Sequence, residues 1–106
     1  MRKFIIAAIV GAALTTPAAA EEAGDICASL AELAHSLAEA KYAGVPLGEI
    51  MAVASQDSNP GHVEVYRELA LEAYSLPDFT TPEYQNRAMR EHSNAVAISC
   101  YRLMSE

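Results

Sequence analysis

Apolar residues recur along this chain at three- and four-residue intervals in successive stretches separated by short polar segments carrying proline or glycine. That spacing is one face of an α-helix. The first stretch predicts a helix from Ile26 to Tyr42 with Ile26, Leu30, Leu33, Ala34 and Leu37 on one face. Asp25 is placed to cap its N-terminus, where negative charge is favoured. Gly44 stands where a left-handed residue ends a helix, so this one should stop near Ala43. Pro46 suits a helix start, and Leu47, Ile50, Met51 and Ala54 make a shorter second stripe. The run from Ser55 to Gly61 is rich in turn formers, with Asn59 as a cap and Pro60 opening a third helix over Gly61 to Ser75. Val63, Tyr66, Leu69, Ala70, Ala73 and Tyr74 form its inward face. Pro77 breaks the pattern, and Thr80-Thr81-Pro82-Glu83 restarts it with a threonine cap, an early proline and a first-turn glutamate. The last helix should run from Pro82 to Met104, with Met89, Val96, Cys100 and Leu103 inward and Ala88, His92 and Ala95 beside them. Glu83, Arg87 and Glu91 follow at four-residue intervals on the solvent side, where they can pair weakly.

No stretch alternates with period two for long enough to read as a strand, so the expected fold is an all-α bundle of three to four helices. The two cysteines, Cys27 and Cys100, open the first long helix and close the last. Antiparallel packing of those helices would bring the sulfurs together. A small domain gains from such a staple.

The N-terminus supports that pairing. Arg2-Lys3, the apolar run from Phe4 to Leu14 and the small residues Ala18-Ala19-Ala20 before Glu21 have the order of a secretory signal peptide cleaved between Ala20 and Glu21. The apolar run is too short to cross a bilayer of about 30 Å comfortably, and no run of about twenty apolar residues follows. Residues 21–106 would then form one exported domain in the periplasm, where a Cys27–Cys100 disulfide is the expected state.

Charge narrows the partners. Loss of Arg2 and Lys3 with the leader leaves five Lys and Arg against fourteen Asp and Glu, a formal charge of −9. Nucleic acid and anionic membrane surfaces, which need clustered basic residues, are disfavoured. Another exported protein is the expected partner.

Candidate chemistry is sparse. His35, His62 and His92 have no metal-ligand spacing, although His35 lies between Glu32 and Glu39 on one helix side. Solvated or half-buried histidines are the simpler reading, with a pH-sensing role as the alternative. Asp57, Asn59 and Glu68 fall at offsets of a calcium loop, but His62 occupies its required glycine position and Pro60 interrupts it. No nucleophile elbow, phosphate cradle or paired catalytic carboxylates can be picked out. The reading is therefore a non-enzyme with no catalytic residues, cofactor or metal. Among the five tyrosines, Tyr42, Tyr84 and Tyr101 are candidates for an interaction surface, since a ring with a polar tip suits either a core edge or an interface.

Cys27, the Gly44-Val45-Pro46-Leu47 turn, Ala73-Tyr74 followed by Pro77, Glu83-Tyr84-Gln85 and Cys100-Tyr101 together resemble a family of small exported helical proteins from proteobacteria and their phages. The resemblance covers nearly all of residues 21–106. It implies export, a disulfide between the chain ends and a helical fold, without an assigned activity. His92 departs from it, standing where a bulky aromatic is expected. A looser likeness of architecture is to the HdeA-type acid-stress chaperones, which are also exported, helical and carry two cysteines; there the cysteines lie farther from the termini. The expected function is a protein-interaction module, with a pH-responsive chaperone as the alternative.

Overall fold

The computed structural model describes residues 17–105, with side-chain surroundings from residue 24 onward. Four helices follow one another: α1 (Pro17–Tyr42), α2 (Leu47–Ala54), α3 (Pro60–Tyr74) and α4 (Pro82–Met104). No strand occurs among the described residues. The expected start of the first helix is corrected, because α1 begins eight residues before Asp25, which lies inside it and caps nothing. Pro17 suits a first helical position and Ala18, Ala19 and Ala20 are the strongest helix formers, so the helix propagates through Glu21, Glu22 and Asp25. Ala20 and Glu21, the residues flanking the expected cleavage point, lie within this extension. Arg2, Lys3 and the apolar run from Phe4 to Leu14 lie outside the described residues.

The other boundaries follow local chemistry. Gly44 takes φ +89°. Around it, Val45 N–H donates to the Ala40 carbonyl at 3.0 Å and Gly44 N–H to the Lys41 carbonyl at 3.0 Å. This is the paired bonding of a Schellman stop, for which glycine alone has no steric cost. Asn59 Oδ1 accepts from the N–H of Gly61 at 2.9 Å and of His62 at 3.4 Å, starting α3. Thr81 Oγ1 accepts from Tyr84 N–H at 3.5 Å, with Pro82 in the first turn of α4.

α1 packs most extensively on α4. The two run antiparallel: Cys27 is bonded to Cys100, Ser93 Oγ donates to the Ala31 carbonyl at 2.9 Å, and the far end of α1 reaches the loop before α4. The Sγ atoms are 2.09 Å apart and the Cα atoms 5.5 Å. The face of α1 turned to α4 is made of small residues, with Cys27, Ala34 and Ala38 fully buried. Small side chains let the helix backbones approach closely. α3 lies along the other side of α1 and runs in the same direction, since Leu33 shares a cleft with Tyr66 and Lys41 Nζ lies 3.4 Å from the Tyr74 carbonyl. The short α2 returns the chain between them and packs on α3.

The resulting core is thin. Leu37, Ile50, Leu69, Met89 and Val96 carry most of its volume, and the remaining members are alanines. Burying one large aliphatic side chain is worth about 1.5–3 kcal/mol, whereas an alanine contributes little beyond allowing approach. Two residues expected to face inward do not. Ile26 is 41% and Leu103 70% exposed. Ile26 falls level with Asn59 by the register of α1 on α3, where α3 has not yet begun. Leu103 stands about one turn past the disulfide, in the last turn of α4.

Candidate functional site

The segment joining α2 to α3 folds on its own side chains. Asp57 Oδ1 accepts from Asn59 N–H at 2.8 Å, which poises Asn59 to cap α3. Asp57 Oδ2 lies 3.3 Å from His62 Nδ1. The Asn59 N–H foremost, and then His62, hold the Asp57 carboxyl below its ordinary value, so the group is an anion across the neutral range. Asp57 and Asn59 thus serve as turn and cap residues.

Behind this turn lies a cleft of about 370 Å³ where α1, the end of α2 and α3 meet. Leu33, Ala54 and Tyr66 line its depth, and Val53 and Val65 stand at its mouth, 51% and 44% exposed. Asp57 and His62 form the polar part of the rim. On the other side of the first turns of α3 a shallower groove of about 610 Å³ begins at Asp57 and runs past Val63, Glu64, Glu68 and Leu71, with Arg67 beside them. Glu64 and Glu68 are four residues apart and repel one another. Among the described residues no ion pair holds either one.

The residues singled out in the sequence do not converge. His35 is exposed on α1, His62 is exposed at the cleft rim and His92 is buried in α4. The expectation of solvated or half-buried histidines is overturned for His92, which is 8% exposed. Met89, His92 and Val96 form one buried stripe, so His92 sits on the packed face instead of beside it. Its Nε2 has no hydrogen-bond partner among the described residues. Burial pushes its pKa down, and Glu72 of α3 opposes that shift. Among the described residues no cluster of three or more His, Cys, Asp or Glu is placed to hold a metal ion.

The tyrosines are likewise dispersed. Tyr42 is half-buried and its hydroxyl donates to the Pro77 carbonyl at 2.7 Å, so it joins two parts of the bundle. Tyr84 and Tyr101 are 48% and 50% exposed. They are seventeen residues apart on α4, about 25 Å at the helical rise. Tyr84 packs on Phe79 with centroids 5.8 Å apart and the Arg87 guanidinium over its ring, while Tyr101 stands at the disulfide end.

Sequence reasoning missed Lys41 altogether. Its side chain is 10% exposed, and its ammonium group donates to the Leu76 and Tyr74 carbonyls and pairs with Asp78 at 3.0 Å. Tyr74 Oη donates to the Val45 carbonyl at 2.6 Å. A lysine in the last turn of a helix, where cations meet unpaired carbonyls, was the available signal. Val53 and Val65 were missed because each lies off the buried stripe of its own helix and gains meaning only once α2 and α3 are docked.

Comparison with protein-family models, curated proteins and solved structures finds no match. The family resemblance therefore rests on the quoted residues alone. What the structure defines is a class: an all-α bundle whose first and last helices are joined by a disulfide. No described helix is long and apolar enough to cross a membrane.

Proposed function

We propose that this chain is an exported, non-enzymatic protein-interaction module that acts in the periplasm. The observation that carries the reading is the apolar cleft at the α1, α2 and α3 junction, held open on a frame fastened at both ends and flanked by exposed valines. Apolar side chains half exposed around a concavity are unfavourable in water and are relieved when a partner covers them. Export is supported by the order of basic, apolar and small residues before Glu21 and by the oxidised cysteine pair. Cells producing the tagged protein, treated with a short-range crosslinker before lysis, should yield a discrete adduct with another exported protein and a free chain beginning at Glu21. Recovery of uncrosslinked material only would remove the interaction reading. A chain retaining Arg2 and Lys3 would remove the export reading.

A second reading, an acid-responsive chaperone, is favoured by one observation: His92 is buried with an unpartnered ring nitrogen. Protonation in acid would loosen α4 and expose apolar helix faces. Protection of an aggregating client at pH 2–3 is the measurement, and a protein that stays rigid and gives no protection there rules the reading out.

A further inference from the structure

We propose that the cleft and the groove on either side of the start of α3 together receive one segment of a partner protein, an apolar side chain flanked by basic ones. The proposal rests on the interaction-module reading and specifies the chemistry of the occupant.

The argument is one of charge complementarity around an apolar opening. The cleft lined by Leu33, Ala54 and Tyr66 with Val53 and Val65 at its mouth offers a place for an apolar side chain. Asp57 belongs to the walls of both openings, so a chain leaving the cleft passes directly into the groove that carries Glu64 and Glu68. Three carboxylates face one guanidinium, Arg67, along that route. Glu64 and Glu68 repel each other across one helical turn, and a cation between them would relieve the repulsion. Asp57 is already an anion fixed by the Asn59 N–H. The formal charge of −9 over residues 21–106 would steer a basic segment toward this face.

The same charges disfavour other occupants. A second copy on a two-fold axis would set Asp57, Glu64 and Glu68 against their own equivalents. A fatty acid would bring its carboxylate to the same acidic rim.

The test is a titration of the oxidised protein, with labelled isoleucine, valine and leucine methyl groups, by two peptides of equal length, one of alternating leucine and lysine and one of alternating leucine and glutamate. The expected result is that the lysine peptide shifts the methyl signals of Leu33, Val53 and Val65, binds at least tenfold more tightly than the glutamate peptide, and weakens as salt is added. Val53→Ser combined with Val65→Ser should lower affinity about tenfold. Glu64→Gln combined with Glu68→Gln should do the same and flatten the salt dependence; all four positions are exposed, so both variants are expected to fold. The proposal is overturned if the two peptides bind alike, if neither binds, or if the shifts map to Ile98 and Leu103 instead. It is also overturned if laurate shifts the cleft methyls more strongly than the lysine peptide, or if those signals move with protein concentration alone. A crosslinked partner together with a failed titration would sink the cleft chemistry and leave the module; cleft binding without any crosslinked partner would do the reverse.

Discussion

The two ends of the bundle are fastened by different physics. At one end Cys27 and Cys100 are joined covalently, and Cys27 is fully buried. At the other, Lys41, Tyr42 and Tyr74 reach backbone carbonyls of Leu76, Pro77 and Val45, tying the turn after α1 to the segment after α3. The disulfide acts chiefly on the unfolded chain, by closing a loop across a separation of 73 residues. The polar end acts only in the folded state, by satisfying carbonyls that helix termini leave open. A bundle with an alanine-rich core gains from both, since neither requires bulky side chains.

Breaking the covalent end should have the largest effect. Cys100→Ser in the oxidised protein is expected to lower unfolding stability by about 4 kcal/mol, the loop-closure contribution at this separation. Urea titration beside the parent measures it, and a loss below about 1 kcal/mol would show that this end depends on packing instead. Lys41→Met should come next, at about 2–3 kcal/mol, because it leaves carbonyl groups at the end of α3 without their charged donor. Asp78 is 95% exposed, so Asp78→Asn should cost under about 0.5 kcal/mol. If the two substitutions cost the same, the ion pair and not the carbonyl capping holds this end.

Between the ends, His92 predicts a pH dependence of definite sign. Burial depresses its folded-state pKa, so the unfolded chain takes up the proton first as pH falls through about 6.5. Stability from this site is complete above that value and declines below it until the folded imidazole is also protonated, with Glu72 reducing the extent. Thermal unfolding from pH 8 to pH 5 should show the parent losing stability relative to His92→Leu. Parallel curves would place the imidazole in a solvated setting. Tyr74→Phe is expected to cost less than Lys41→Met, about 1 kcal/mol for one half-buried hydrogen bond, read by the same urea titration. A neutral result would assign this end to Lys41 and Tyr42.

Helix number, order and most boundaries were legible in the sequence because each is decided within a few residues. Gly44, Asn59 and Thr81 act through bonds to atoms no more than three positions away, and the pairing of Cys27 with Cys100 had no competing cysteine. The extension of α1 to Pro17 was not read, since Ala18, Ala19 and Ala20 match a small-residue cleavage site, although alanines also favour helix. Burial at His92 was readable from its place in the Met89–Val96 stripe. The candidate cleft was not, because its walls come from three helices and exist only after docking. Lys41 shows the same limit: its position near a helix end was visible, but the carbonyls it meets lie 33 and 35 residues away.

Having only one pair of thiols also simplifies maturation. With Cys27 and Cys100 as the sole cysteines, intramolecular oxidation has a single product, and no isomerase is required to correct a wrong partner. The remaining error is a bond between two chains, which dilution suppresses. A single encounter with an oxidant thus suffices to form the Cys27–Cys100 bond.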